Sequence, residues 1–128
     1  MTPESVALTR EVMTSSRQRP TRGECYRNAF RFIPEAAEIL GEPPMYVEGI
    51  VGIPGVREIA HGWLEAPDGR IVDVSLAWED AGRLGPLNRH RPFGRFTVRE
   101  VCDHLDRRGA SLPILADKLE GAATEGGE

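Results

Sequence analysis

The pentapeptide Ala66-Pro67-Asp68-Gly69-Arg70, set between two apolar runs, constrains this chain more than any other stretch. Proline presets φ for the second position of a type I turn, and glycine accepts the left-handed position that follows. A three-residue hairpin loop of this kind pairs Ala66 with Arg70, and counting back from that pair sets Trp63 opposite Asp73. Strand side chains alternate with period two, so His61, Trp63 and Asp73 share one face. His61 and Asp73 become diagonal neighbours, about 7 Å apart at the backbone and within side-chain reach. A two-residue loop would set Asp73 opposite Leu64, on the face away from His61. The turn chemistry therefore decides whether a His–Asp pair exists.

The hairpin strands run from Ile59 to Glu65 and from Ile71 to Leu76. MYVEGIVGI, residues 45–53, is rich in β-branched and aromatic residues and reads as a strand before them. Helices come first in the chain. Thr2 caps one that carries Val6, Leu8, Val12 and Met13 at helical spacing. After the polar loop SSRQRPTRG, Thr21-Arg22-Gly23-Glu24 fits the S/T-x-x-E capping box and opens a helix with Cys25, Tyr26, Ala29, Phe30 and Ile33. Pro34 breaks or restarts it, and PEAAEIL up to Gly41 reads as a short further helix. Residues 79–94, rich in Gly, Pro and Arg, read as a long loop. Thr97-Val98-Arg99-Glu100 is a second capping box, for a helix ending at Gly109, and residues 112–119 add one or two helical turns. The order predicts an α+β domain, with helices packed on a small antiparallel sheet. A single domain over 1–120 is expected, with 121–128 as a disordered acidic tail.

Length and charge exclude several function classes. At 128 residues the chain can bury roughly 65–70% of its unfolded surface, enough for one core. No apolar run approaches the ~20 residues of a membrane helix, and the charged N-terminus does not read as a secretory signal. With 16 basic against 20 acidic residues the net charge is −4. A net-negative chain without basic runs or interleaved aromatics is a poor nucleic-acid binder. Arginines do cluster at 17–31 and 83–99; solvated surface is the plainer account of them, and an anionic substrate or partner the alternative. Two cysteines and three histidines at scattered spacings fit neither a disulfide scaffold nor a zinc site. A reducing, cytoplasmic setting without metal or cofactor is the expectation.

Cys25, His61 and Asp73 then stand out together. Each alone has a structural explanation: a lone Cys is usually a small buried apolar group, and a lone strand His a satisfied core residue. Asp in a strand is odder, since it is disfavoured there and rarely buried unpaired. Cys25 falls in the first turn of its predicted helix, where free N–H groups and the macrodipole favour the thiolate, the reactive form. Asp73 would fix the tautomer of His61 and stabilise its imidazolium, and His61 would take the proton from Cys25. Trp63 would shield the pair from water, a role compatible with plain core packing. The Cys25 backbone N–H is one natural oxyanion donor. Cys102 reads as a structural or inert surface thiol, and surface placement suffices for His90 and His104. Glu48, in the first strand, faces either the same cleft or solvent.

The strings GECYRNAF, YVEGIV and AHGWLEAPDGRIVDVSL together resemble the core of the papain-like and transglutaminase-like thiol enzymes. The pattern is C-x-x-N … H-x-W … P-D-G-x-x-x-D, and it covers about residues 20–78. The resemblance implies Cys25 as nucleophile, His61 as general base and then acid, and Asp73 as the residue that orients it. It marks Asn28, whose plainer role is a hydrogen bond to a neighbouring loop, and it makes Gln18 the candidate side-chain donor to an oxyanion. Many such proteins carry Asp-Pro-Thr at the strand aspartate; here Val74-Ser75 follows Asp73.

These readings lead to a cofactor-independent cysteine enzyme acting on a peptide or protein amide. Hydrolysis or deamidation is favoured over cross-linking, because nothing identifies an acceptor-amine site. The competing reading is a non-catalytic peptide- or ligand-binding module that retains the thiol-enzyme fold.

Overall fold

A computed structural model describes residues 1–55, 57–79 and 84–126. Six helices pack on a four-stranded antiparallel sheet: α1 (Pro3–Ser15), α2 (Cys25–Arg31), α3 (Ile33–Leu40), β1 (Met45–Ile53), β2 (Arg57–Glu65), β3 (Ile71–Val72), α4 (Val74–Glu79), β4 (Arg89–Phe96), α5 (Val98–Leu105) and α6 (Ala116–Gly126). The mixed α+β class expected from the element order is what forms. The strand order is β3-β2-β1-β4. Leu8, Val12, Ala29, Phe32, Tyr46, Leu64 and Val101 join one buried cluster between the helices and one face of the sheet.

The hairpin folds as its turn residues require. Ala66 N–H donates to Arg70 O at 2.7 Å, and Leu64 pairs with Val72. Gly69 sits at φ +92°, the region that a side chain would strain. The second strand is much shorter than expected. It stops at Val72, because Asp73 leaves the ladder to cap a helix: its Oδ1 accepts from Leu76 N at 3.0 Å and its carbonyl from Ala77 N at 3.2 Å. The local preference of Asp for an N-cap overrides the β-branched residues around it.

The loop expected over 79–94 also changes. Residues 80–83 lie outside the described residues, and from Arg89 the chain forms β4, an edge strand against β1. Pro92 is tolerated there because an edge strand has one side free of ladder bonds. The register slips between Glu48 and Gly49: Glu48 faces Gly94, but Gly49 faces Pro92, leaving Phe93 as an extra residue. Such a bulge inverts the facing of the side chains on one side of it relative to those on the other.

At the helix ends, the Thr97–Glu100 capping box forms in both directions, at 3.1 and 2.9 Å, though α5 ends at Leu105 rather than at Gly109. The Thr21–Glu24 box does not form. Glu24 is the N-cap without a side-chain bond, and α2 begins at Cys25. Pro34 restarts the helix as α3, which stops at Gly41 in the left-handed conformation. Of the tail expected from 121, the backbone is helical to Gly126, and 127–128 lie outside the described residues.

Candidate functional site

Asp73 anchors the site. It is fully buried, and α1, α4, β2 and β4 all hold it. Its N–H donates to Thr9 Oγ1 of α1 at 3.2 Å, Leu76 N–H of α4 bonds Oδ1, and His61 of β2 reaches the same oxygen through Nε2 at 2.9 Å. A carboxylate taken out of water needs such donors, since an unpaired buried charge costs several kcal/mol. Burial works to raise its pKa, but His61 and His90 outweigh that and hold the Asp73 carboxyl well below the usual carboxylate range.

His61 is 4% exposed. Burial favours its neutral form, yet the Asp73 charge, with a smaller contribution from Cys25, pushes its pKa up to about 10. With Nε2 on Asp73, Nδ1 is the ring nitrogen left free, and Cys25 lies near enough to the imidazole to add to the upward push on its pKa. Gly62 lets α2, which begins at Cys25, lie against β2: a Cβ on Gly62 would stand 2.7 Å from Tyr26 Cδ1 and 3.1 Å from Tyr26 Cα. Cys25, the first residue of α2, is half-buried. Its neighbours Gly23, Glu24 and Tyr26 line a cavity of about 540 Å³ with Phe30, Leu105 and Leu112. Cys102 is exposed on α5.

Trp63 packs its ring at 25° to the plane of His61, with centroids 6.3 Å apart, and is 1% exposed. It thus covers the pair from water rather than offering a surface to a substrate. Its room comes from Gly49, where a Cβ would lie 2.9 Å from Trp63 Cη2.

The remaining candidates are committed elsewhere. Gln18 uses its amide on Arg31 O at 2.8 Å and on Glu35 Oε2. Both donor hydrogens are spent at the far end of α2, roughly 9 Å along the axis from Cys25 at 1.5 Å per residue. It is therefore not an oxyanion donor. Asn28 Nδ2 donates to Thr21 O and Ser75 Oγ, both at 2.8 Å, and Oδ1 accepts from Thr21 N at 2.8 Å. That is the plainer role: it ties the 21-loop and α4 to α2. Glu48 faces neither solvent nor a cleft. Fully buried, it accepts from Tyr46 Oη at 2.6 Å and from Ile114 N and Leu115 N at 2.7 Å, and so clamps the chain before α6 to the sheet. Its charge, added to burial, raises the Tyr46 pKa.

His90 is the residue that sequence reasoning missed. Its side chain is 1% exposed, and its Nε2 lies 2.8 Å from Asp73 Oδ2. The Phe93 bulge puts it there. In an unbroken register Gly49 would face Phe93 and His90 would fall on the opposite face of β4. The run RHRPFGRF carried one signal, its alternation up to a Pro, but no local feature announces a bulge.

Among the described residues no group of three or more His, Cys, Asp or Glu could hold a metal ion, and no helix is long and apolar enough to cross a membrane. Family models, curated proteins and solved structures offer no match to this chain.

Proposed function

We propose that this chain is a cysteine-dependent acyl-transfer enzyme acting on peptide or protein amides. The observation that carries the reading is the grouping of Cys25, His61 and Asp73, in which a half-buried thiol lies near an imidazole whose Nε2 is fixed by a buried carboxylate. Packing alone needs no such alignment, whereas nucleophilic catalysis requires all three groups in this order.

The chemistry follows from the geometry. His61, whose raised pKa favours the imidazolium near neutral pH, holds the proton given up by the thiol, and sulfur attacks the amide carbonyl carbon. A C–S bond forms, and the carbonyl oxygen becomes an oxyanion within reach of first-turn backbone N–H groups. The imidazolium then gives its proton to the departing nitrogen, the C–N bond breaks, and a thioester remains on Cys25. Water, deprotonated by His61, cleaves the thioester and restores the thiol. Asp73 stays ionised throughout and stabilises the imidazolium. A side-chain carboxamide would yield ammonia and an acid; a backbone amide would yield two peptides. The binding-module alternative draws no support from this geometry, because Asp73 points at His61 and Cys25 is not sealed from solvent.

Alkylation tests the reading. Near neutral pH, iodoacetamide should label Cys25 at least about tenfold faster than Cys102, an internal comparison that is more exposed. His61→Gln keeps a donor for Asp73 but removes the base, and should erase that difference. Equal rates for the two thiols in the folded wild type would refute the proposal.

A further inference from the structure

We propose that His90 is a positioning residue for this centre: its Nε2–H holds Asp73 Oδ2 and thereby keeps Oδ1 on His61 and the imidazole beside Cys25. The inference rests on the Cys25–His61–Asp73 reading above and adds a fourth member to it.

Three observations carry it. First, the two oxygens of Asp73 are divided between two imidazoles, at 2.9 and 2.8 Å, so the carboxylate plane is set from both sides. His61 and Leu76 N–H hold Oδ1 from one side, and His90 on another strand holds Oδ2, so a swing about the Cβ–Cγ bond would break buried hydrogen bonds at both oxygens. Second, His90 Nδ1 is buried and has no partner among the described residues. A proton there would be a donor without an acceptor, so the geometry fits the Nε2–H tautomer, the one that donates to Asp73. Third, Trp63 packs against both rings, at 25° to the plane of His61 and edge-on to His90, with centroids 4.8 Å apart and planes at 81° to the latter. The same indole thus fixes both imidazoles. With its side chain 1% exposed and its Nε2 on Asp73, His90 acts through Asp73 and takes no proton from a substrate.

The experiment compares His90→Leu with His90→Gln in the full chain. Glutamine can present an amide N–H near the place of Nε2, and leucine cannot. Two readouts are followed: the water-exchange rate of the His61 Nε2–H proton by NMR, and the alkylation rate of Cys25. In His90→Leu the proton should exchange about tenfold faster and Cys25 labelling should slow at least about fivefold. His90→Gln should restore both to within about twofold of wild type. A merely structural histidine would lower stability without moving either quantity in the folded protein. If both readouts in folded His90→Leu match wild type, or if His90→Gln behaves like His90→Leu, the proposal is overturned. Should His90→Leu fail to fold, His90→Asn replaces it, since its amide falls short of Asp73. If wild-type Cys25 labels no faster than Cys102, the enzymatic reading falls by itself, and the His61 proton alone then decides the role of His90.

Discussion

Replacing Asp73 with asparagine changes one atom and one charge in a fully buried site. Three donors converge on that carboxylate: His61 Nε2 and Leu76 N on Oδ1, and His90 Nε2 on Oδ2. Asparagine offers one acceptor oxygen, so its NH2 must face an N–H already in place. A buried donor against a donor costs about 1–3 kcal/mol, and removing one partner of a buried ion pair about 3–5 kcal/mol. These overlap, so a loss of about 3–5 kcal/mol near pH 6 is expected, out of about 5–15 kcal/mol for a domain. Urea unfolding followed by the fluorescence of the buried Trp63 measures it. The pH dependence is the sharper test. His61 is raised from 6.5 to about 10, so its contribution is fully present below pH 6.5 and is lost as pH climbs toward 10. Asp73 is lowered from 3.8, so its contribution is present above pH 3.8 and is lost as pH falls below it. Both describe one interaction, strongest between those limits. The gap between wild type and Asp73→Asn should therefore narrow above pH 6.5, by up to about 1.4 kcal/mol per pH unit. A loss under about 1 kcal/mol at pH 6, or a gap that stays flat from pH 6.5 to 9, would refute the pairing.

Two further substitutions probe how the site is held. Gly62→Ala drives a methyl to 2.7 Å from Tyr26 Cδ1 and 3.1 Å from Tyr26 Cα, so α2 must retreat from β2. It should cost about 1–3 kcal/mol and slow Cys25 alkylation, and unchanged labelling would show that this close approach does not set the thiol. Glu48→Gln replaces one acceptor by an NH2 donor that faces the N–H of Ile114 or Leu115. A loss of about 1–3 kcal/mol is expected, with faster hydrogen exchange at those two amides; unaltered exchange would contradict the clamp.

Local chemistry was legible wherever a short stretch dictates its own backbone. The Pro67-Asp68-Gly69 turn set the hairpin register, and through it the facing of His61 and Asp73. Thr97 and Glu100 announced their capping box, and Gly41 its helix stop. Reading failed where a residue had two good local options or where pairing was long-range. Asp73 could extend a strand or cap a helix, and both describe the same five residues until α1 supplies Thr9 for its backbone N–H. Gln18, Asn28 and Glu48 were legible as polar but not as spent, because, Tyr46 beside Glu48 apart, these partners lie 7 to 67 positions away in the chain.

By itself, then, the amino-acid order determined an α+β architecture and which face of β2 carries His61. Those outcomes depend on turn geometry and on alternation over a few residues. Only tertiary packing brought α2 onto Gly62, so that a sulfur 36 positions before His61 lies near its ring. Only the bulge at Phe93 rotated His90 onto Asp73. Both depend on how one element settles against another, a balance of distant contacts that no window along the chain contains.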